Sequence, residues 1–140
     1  MIQRIQTIWL LLASVCAFLT LSFSFYSGHK IGDPQKIFTV LNAKSNLILL
    51  ILTVGTGISS LILIFLYKDR KLQMRITLAT IVAAIINLVI YFMQSKSFVP
   101  AESSFDLTCI FAFAVPVLLM LAFRGIYKDQ KLVKSVDRLR

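Results

Sequence analysis

Residues 47–67 read LILLILTVGTGISSLILIFLY, and residues 68–75 behind them read KDRKLQMR. Twenty-one positions pass without a charged side chain, and then four of the next eight are Lys or Arg. An uncharged apolar run of that length crosses a hydrocarbon core about 30 Å thick when wound as a helix. Lipid offers the backbone no hydrogen-bond partners, so an isolated run must satisfy its own N–H and C=O groups, which a helix does. Cations packed just beyond it are what anionic headgroups hold, at roughly 1 kcal/mol each.

Working outward, three more runs of this kind occupy 7–26, 76–92 and 107–123, so that the four are 17 to 21 residues long and all free of charge. The whole chain agrees: 140 residues, 58% hydrophobic and 15% charged. A soluble domain this small has too much surface for its volume to hide so many apolar side chains. The expected architecture is a single membrane domain over 1–140, all-α, a four-transmembrane-helix bundle with a C-terminal cytoplasmic amphipathic helix in the tail 124–140. The first run also invites a secretory-signal reading, with Arg4 as its charged start and Ser22-Phe23-Ser24 as its cleavage site. Phe23, Phe25 and Tyr26 fit that poorly, and the run is long for a signal. Ala13 and Val15 before Cys16 do not fit a lipoprotein signal either.

The net charge of +9 does not point to nucleic acid, because the basic residues sit beside apolar runs and form no separate basic domain. Their distribution sets an orientation instead. Arg4, the connection 68–75 and the tail from 124 together carry eleven Lys and Arg, whereas 27–46 and 94–106 carry four. Both termini are therefore expected in the cytoplasm, with the bilayer and its anionic headgroups as the first partner. In the tail, Leu132, Val136 and Leu139 recur at helical spacing, with Val133 at the margin and Lys131, Lys134, Arg138 and Arg140 elsewhere. Such a helix lies on headgroups or docks on a partner. The docking candidates are Arg4, Arg70, Lys71, Lys128, Lys131, Lys134, Arg138 and Arg140, with Asp129 and Asp137 placed to pair with Arg4, Arg70 or Arg75.

The two outer connections carry turn residues, Gly28, Gly32, Asp33 and Pro34 in one and Pro100 in the other. Ile37, Phe38, Val40 and Leu41 are spaced for a short surface helix over 34–43. Ser103 or Ser104 is placed to cap the fourth helix and Asp106 to suit its dipole, with proton carriage the alternative for Asp106.

Inside the runs, Asn87 is the most polar deep side chain, and an unpaired amide in hydrocarbon is costly. It is expected to point into the bundle and bond a neighbouring helix, with a substrate or ion contact as the sharper alternative. Small residues recur four apart in the second run (Gly55 and Ser59, Thr56 and Ser60, Thr53 and Gly57) and in the third (Ala79, Ala83, Asn87). The second and third helices are expected to pack along Gly55, Thr56, Ser59, Ala79, Ala83 and Asn87. Pro116 predicts a kink in the fourth. Cys16 and Cys109 differ in expected depth by about 10 Å, too far for a disulfide, and His29 has no second metal ligand at a useful spacing. No nucleophile and base pair occurs, and no ionisable group marks a proton path within the runs. Neither an enzyme nor a cofactor is expected.

After the second run comes Tyr67-Lys68-Asp69-Arg70-Lys71-Leu72, and after the fourth Tyr127-Lys128-Asp129-Gln130-Lys131-Leu132, five of six residues alike sixty positions apart. Two related hairpins would produce this echo, and so would convergence on Tyr and Lys at a membrane boundary. The opening Met-Ile-Gln-Arg-Ile-Gln-Thr-Ile-Trp-Leu-Leu-Leu-Ala, the stretch Arg70-Lys71-Leu72-Gln73 and the ending from Lys128 to Arg140 resemble a family of uncharacterised four-helix membrane proteins of Bacteroidetes-type bacteria. The resemblance spans the chain and implies a four-helix inner-membrane protein, a domain of unknown function, with no catalytic residues to carry over. Tyr127 departs from the family by standing where a basic residue is expected. The function expected is an accessory or structural subunit of a membrane protein complex or a homo-oligomer. The alternative is a small transporter or channel for an uncharged or lipophilic solute, its path lined by Asn87, Thr53, Thr56 and Ser59.

Overall fold

The structure, a computed structural model, describes residues 2–32 and 37–137, and the side chains of 5–32 and 37–133. Four helices carry most of it: α1 (Ile2–Leu19), α2 (Leu47–Phe65), α3 (Arg70–Ser95) and α4 (Ile110–Asp137). Between them lie three short strands, β1 (Tyr26–His29), β2 (Phe38–Leu41) and β3 (Ser104–Phe105). Each of α1 and α3 packs against both α2 and α4, so the section is a square with α1 and α3 on one diagonal.

Three segments, Leu47–Phe65, Arg70–Ser95 and Leu107–Val133, are long and apolar enough to cross a membrane, and no more than 33% of each apolar window is buried by the protein. Most of their apolar surface faces outward, from Ile51 and Ile62 on α2 to Val89 on α3 and Val117 on α4. The apolar part of α1, Ile5–Leu19, is shorter. It ends sooner than the first run 7–26 because the chain turns at Thr20, whose hydroxyl donates to the Ala17 carbonyl at 2.7 Å while Phe23 N–H bonds back to Leu19. Leu21 to Tyr26 thus leave the helix, and Tyr26 enters β1.

The inner face of α1 is small (Ala13, Ser14, Ala17), which lets α2 come close. Ser14 Oγ donates to the Gly57 carbonyl at 3.1 Å, and a Cβ on Gly57 would stand 3.0 Å from the Phe18 ring. Close approach at small residues is how helices gain contact where lipid supplies no hydrophobic drive between them. Leu10, Leu63, Ile81, Val115 and Leu119 fill the centre. Buried hydroxyls bond within their own helices, Thr56 to Thr53, Ser60 to Thr56, Thr77 to Gln73 and Thr80 to Ile76, so they carry no unpaired donor into the interior.

The end of the bundle holding the α1–α2 and α3–α4 connections is closed by an antiparallel sheet in the order β2-β1-β3. Tyr26 lies opposite Leu41 on one side and Phe105 on the other, and Lys30 bridges to Phe98. Beneath the sheet Phe25 stacks on Tyr91 at 4.6 Å and meets Phe92 and Phe105 edge-on. Gly28 is required where β1 passes residue 103, because a Cβ there would collide with the Ser103 Cβ.

Three expectations are corrected here. The segment 34–43 is not a surface helix: Phe38–Leu41 pairs as β2, because β-branched and aromatic side chains suit a sheet and β1 supplies the partner, while Asp33, Pro34, Gln35 and Lys36 lie outside the described residues. Ser103 and Ser104 do not cap the fourth helix. Ser104 is in β3, Ser103 Oγ bonds the Val99 carbonyl and the Tyr26 hydroxyl, and Asp106 Oδ1 accepts from Ser27 Oγ at 2.8 Å instead of capping a helix. The tail is not a separate element, since α4 runs through Pro116 and on to Asp137 without a break.

Candidate functional sites in the bundle

Two places in the interior gather polar side chains. The first is where α1, α2, α3 and α4 meet below the sheet. Asn87 Nδ2 donates to Thr53 Oγ1 at 3.0 Å, so the expected bond between the second and third helices forms. Thr53 is buried, and about one turn of α3 beyond Asn87 stands Tyr91, fully buried. The Tyr91 hydroxyl lies beside the hydroxyls of Thr20 and Thr53. Asn87 Oδ1 has no hydrogen-bond partner among the described residues. A cavity of about 10 Å³ opens between Thr20, Thr53, Thr56, Asn87 and Ala112.

The second is at the opposite end, where the start of α1, the α2–α3 turn and the later part of α4 converge. Gln6 Nε2 donates to Asp129 Oδ2 at 2.7 Å, and the two side chains are only 5% and 9% exposed. Gln73 Nε2 reaches back across the turn to the Leu63 carbonyl at 2.9 Å. These residues, with Tyr67 and a half-buried Arg70, line a second cavity of about 10 Å³. Gly125 makes the approach possible: a Cβ there would lie 2.7 Å from Gln6 Cγ.

The packing face of α2 is Leu49, Thr53, Thr56, Gly57, Ser60 and Leu63, and that of α3 is Gln73, Thr77, Thr80, Ile81, Ala84 and Tyr91. Of the six residues expected there, Thr56 is buried, Ser59, Ala83 and Asn87 are half-buried, and Gly55 and Ala79 are exposed. A spacing of four occurs on three rows of the second run, and spacing alone does not choose among them. The row that contains Gly57 wins because it meets Ser14 and Phe18 of α1.

Among the docking candidates, Lys71, Lys128 and Lys131 are exposed. The side chains of Arg4 and Lys134, and all of Arg138 and Arg140, lie outside what is described. The two copies of the echo do not share an environment: Asp69 is exposed just before α3, whereas Asp129 is buried within α4. Gln6 and Asp129 are the pair that sequence reasoning missed. A signal was present, since the buried positions Val115, Leu119, Ala122, Ile126 and Asp129 alternate steps of four and three, which carries the inward face of α4 past the end of the apolar run.

Around the sheet, His29 packs against Phe38 with its Nδ1 unpaired, and no group of three metal-ligating side chains occurs among the described residues. Cys16 and Cys109 are free thiols. No curated protein and no solved structure matches this chain. A family model, described as a domain of unknown function (DUF4293), matches residues 2–139. With an apolar helical bundle matched over nearly its whole length, the chain belongs to that family.

Proposed function

We propose that this protein crosses a bacterial inner membrane four times, with both termini cytoplasmic, and serves as an accessory or structural subunit of a membrane assembly. The observation that carries this reading is the interior. The hydroxyls of Thr56, Ser60, Thr77 and Thr80 bond within their own helices, and the two cavities described have about the room of one water each. A solute path along Thr53, Thr56 and Asn87 has little space in such a bundle. What is left to recognise a partner is the outer apolar surface and the end rich in Lys and Arg.

Orientation has the support of charge, since eleven of the fifteen Lys and Arg belong to the segments that meet at the end opposite the sheet. Purification in mild detergent with crosslinking and mass spectrometry tests the assembly, and a stoichiometric membrane partner or a defined homo-oligomer is expected. A monomer with no crosslinked partner would overturn it. For the topology, a fluorescent protein fused after Arg140 is expected to glow, and alkaline phosphatase fused within 27–46 to be active. The reverse pattern would invert the orientation.

A further inference from the structure

The cavity at the end opposite the sheet holds a buried charge with little to balance it. Asp129 is 9% exposed, and the bond from the Gln6 amide at 2.7 Å is the one side-chain hydrogen bond it accepts among the described residues. A carboxylate withdrawn from water against a single neutral donor is costly, and buried charges are ordinarily paired with a cation. The lysines on either side of it in α4, Lys128 and Lys131, are exposed. Arg70 is half-buried and lines the same cavity, yet no ion pair joins it to Asp129 among the described residues. The wall thus carries one anionic and one cationic group that do not neutralise each other by contact.

What such a place can hold is limited by size, charge and depth. At about 10 Å³ the space has the room of one water, which a compact ammonium group matches and a planar guanidinium exceeds. A divalent ion would find one carboxylate among the lining residues, and any bare cation would be repelled by Arg70. A lone anion would be set against Asp129. A group that carries both charges a few bonds apart answers both. Its source follows from depth: Tyr67, which lines the cavity, closes an apolar run just before Lys68 and is more than half exposed, the level at which headgroups lie. We propose that this cavity is a recognition site for a phospholipid whose headgroup bears a primary ammonium, the ammonium donating to Asp129 and the phosphate held by Arg70. Gln6, bonded to the same carboxylate, is its positioning residue. The inference rests on the chain lying in a bilayer, as read above, and not on its place in an assembly.

Native mass spectrometry of the full-length protein, released from detergent micelles doped with equal amounts of phosphatidylethanolamine and phosphatidylcholine, tests this. The two lipids have the same net charge, so a basic surface does not distinguish them. Only the first has N–H donors on a head small enough to enter. It is expected to bind about tenfold more tightly, and equal binding in the wild-type protein would overturn the proposal. Asp129→Asn is expected to abolish the preference, whereas Arg70→Gln should weaken both lipids and keep it. Lys128→Gln, at an exposed neighbour, should leave both affinities unchanged. A preference that survives in a folded Asp129→Asn protein would overturn the assignment to that carboxylate. Should the variant not fold, phosphatidylethanolamine methylated once and twice on nitrogen makes the same test on the wild-type chain. Affinity is expected to fall with each methyl, and a flat series would count against the site. Soluble phosphoethanolamine is expected to displace the lipid poorly, and displacement at equal concentration would reject a lipid as the ligand. A chain that retains neither lipid would refute the membrane reading beneath the proposal, whereas retention without discrimination refutes this site alone.

Discussion

The pairing of Gln6 with Asp129 makes a quantitative prediction about non-additivity. An amide N–H meeting a carboxylate at 2.7 Å falls in the short range of charge-assisted hydrogen bonds. Both side chains are at least nine-tenths buried, so water cannot replace a lost partner. Gln6→Leu leaves the carboxylate buried without that donor and is expected to cost about 2–3 kcal/mol. Asp129→Leu leaves the amide unpaired and is expected to cost about 1–3 kcal/mol. The double variant removes both polar groups, puts two apolar side chains of suitable size in their place, and is expected to lie within about 1 kcal/mol of wild type. The coupling is then about 2–6 kcal/mol, well beyond what independent sites display. Unfolding by SDS in mixed micelles, followed by fluorescence of the single Trp9 that packs against the central core, measures each arm of the cycle. A double variant whose cost equals the sum of the single costs would refute the pairing.

Gly125→Ala should act through the same bond, because the new methyl displaces Gln6 Cγ; a loss approaching that of Gln6→Leu is expected in the same titration. Gly55→Ala, where nothing lies within 4 Å of the added Cβ, is expected to leave the curve unchanged. Thr53→Val should cost about 0.6–2 kcal/mol by removing the partner of Asn87 on α2, and adding Asn87→Leu should cost little more. Phe25→Ala empties the aromatic cluster under the sheet and is expected to cost about 3–5 kcal/mol, read as a lower midpoint of unfolding. Gly28→Ala forces β1 away from residue 103, and is expected to speed amide exchange at Tyr26 and Ser27 while α2 stays protected.

The helical part of this fold is legible in the sequence because hydrocarbon length and uncharged runs leave the backbone few options. Asn87 was legible for the same reason: an amide at that depth must find a neighbour, and Thr53 is four residues from the small Gly57 on the facing helix. The sheet was not. Its strands are four, four and two residues long, and β1 pairs with a segment nearly eighty positions away, so no local period announces it. The spacing of Ile37, Phe38, Val40 and Leu41 fits a helix turn as well as a strand when no partner is in view. Asp129 was hidden by the letters around it. Tyr127-Lys128-Asp129 reads like a solvated boundary motif, yet the third residue falls on the inward face while its two neighbours face out.

The sheet also decides where the bundle can give way. Strand β1 comes from the connection between α1 and α2, and β3 from the connection between α3 and α4, so the two hairpins are sewn together at that end. Parting them there means peeling β1 from β3 and pulling apart the aromatic rings beneath. At the other end only side chains join α1 to α4, chiefly Gln6 to Asp129, and no strand crosses among the described residues. The α2–α3 turn keeps those two helices together at that end, so the seam that can part is the one between α1 and α4, and it opens toward the end where the Lys and Arg residues gather.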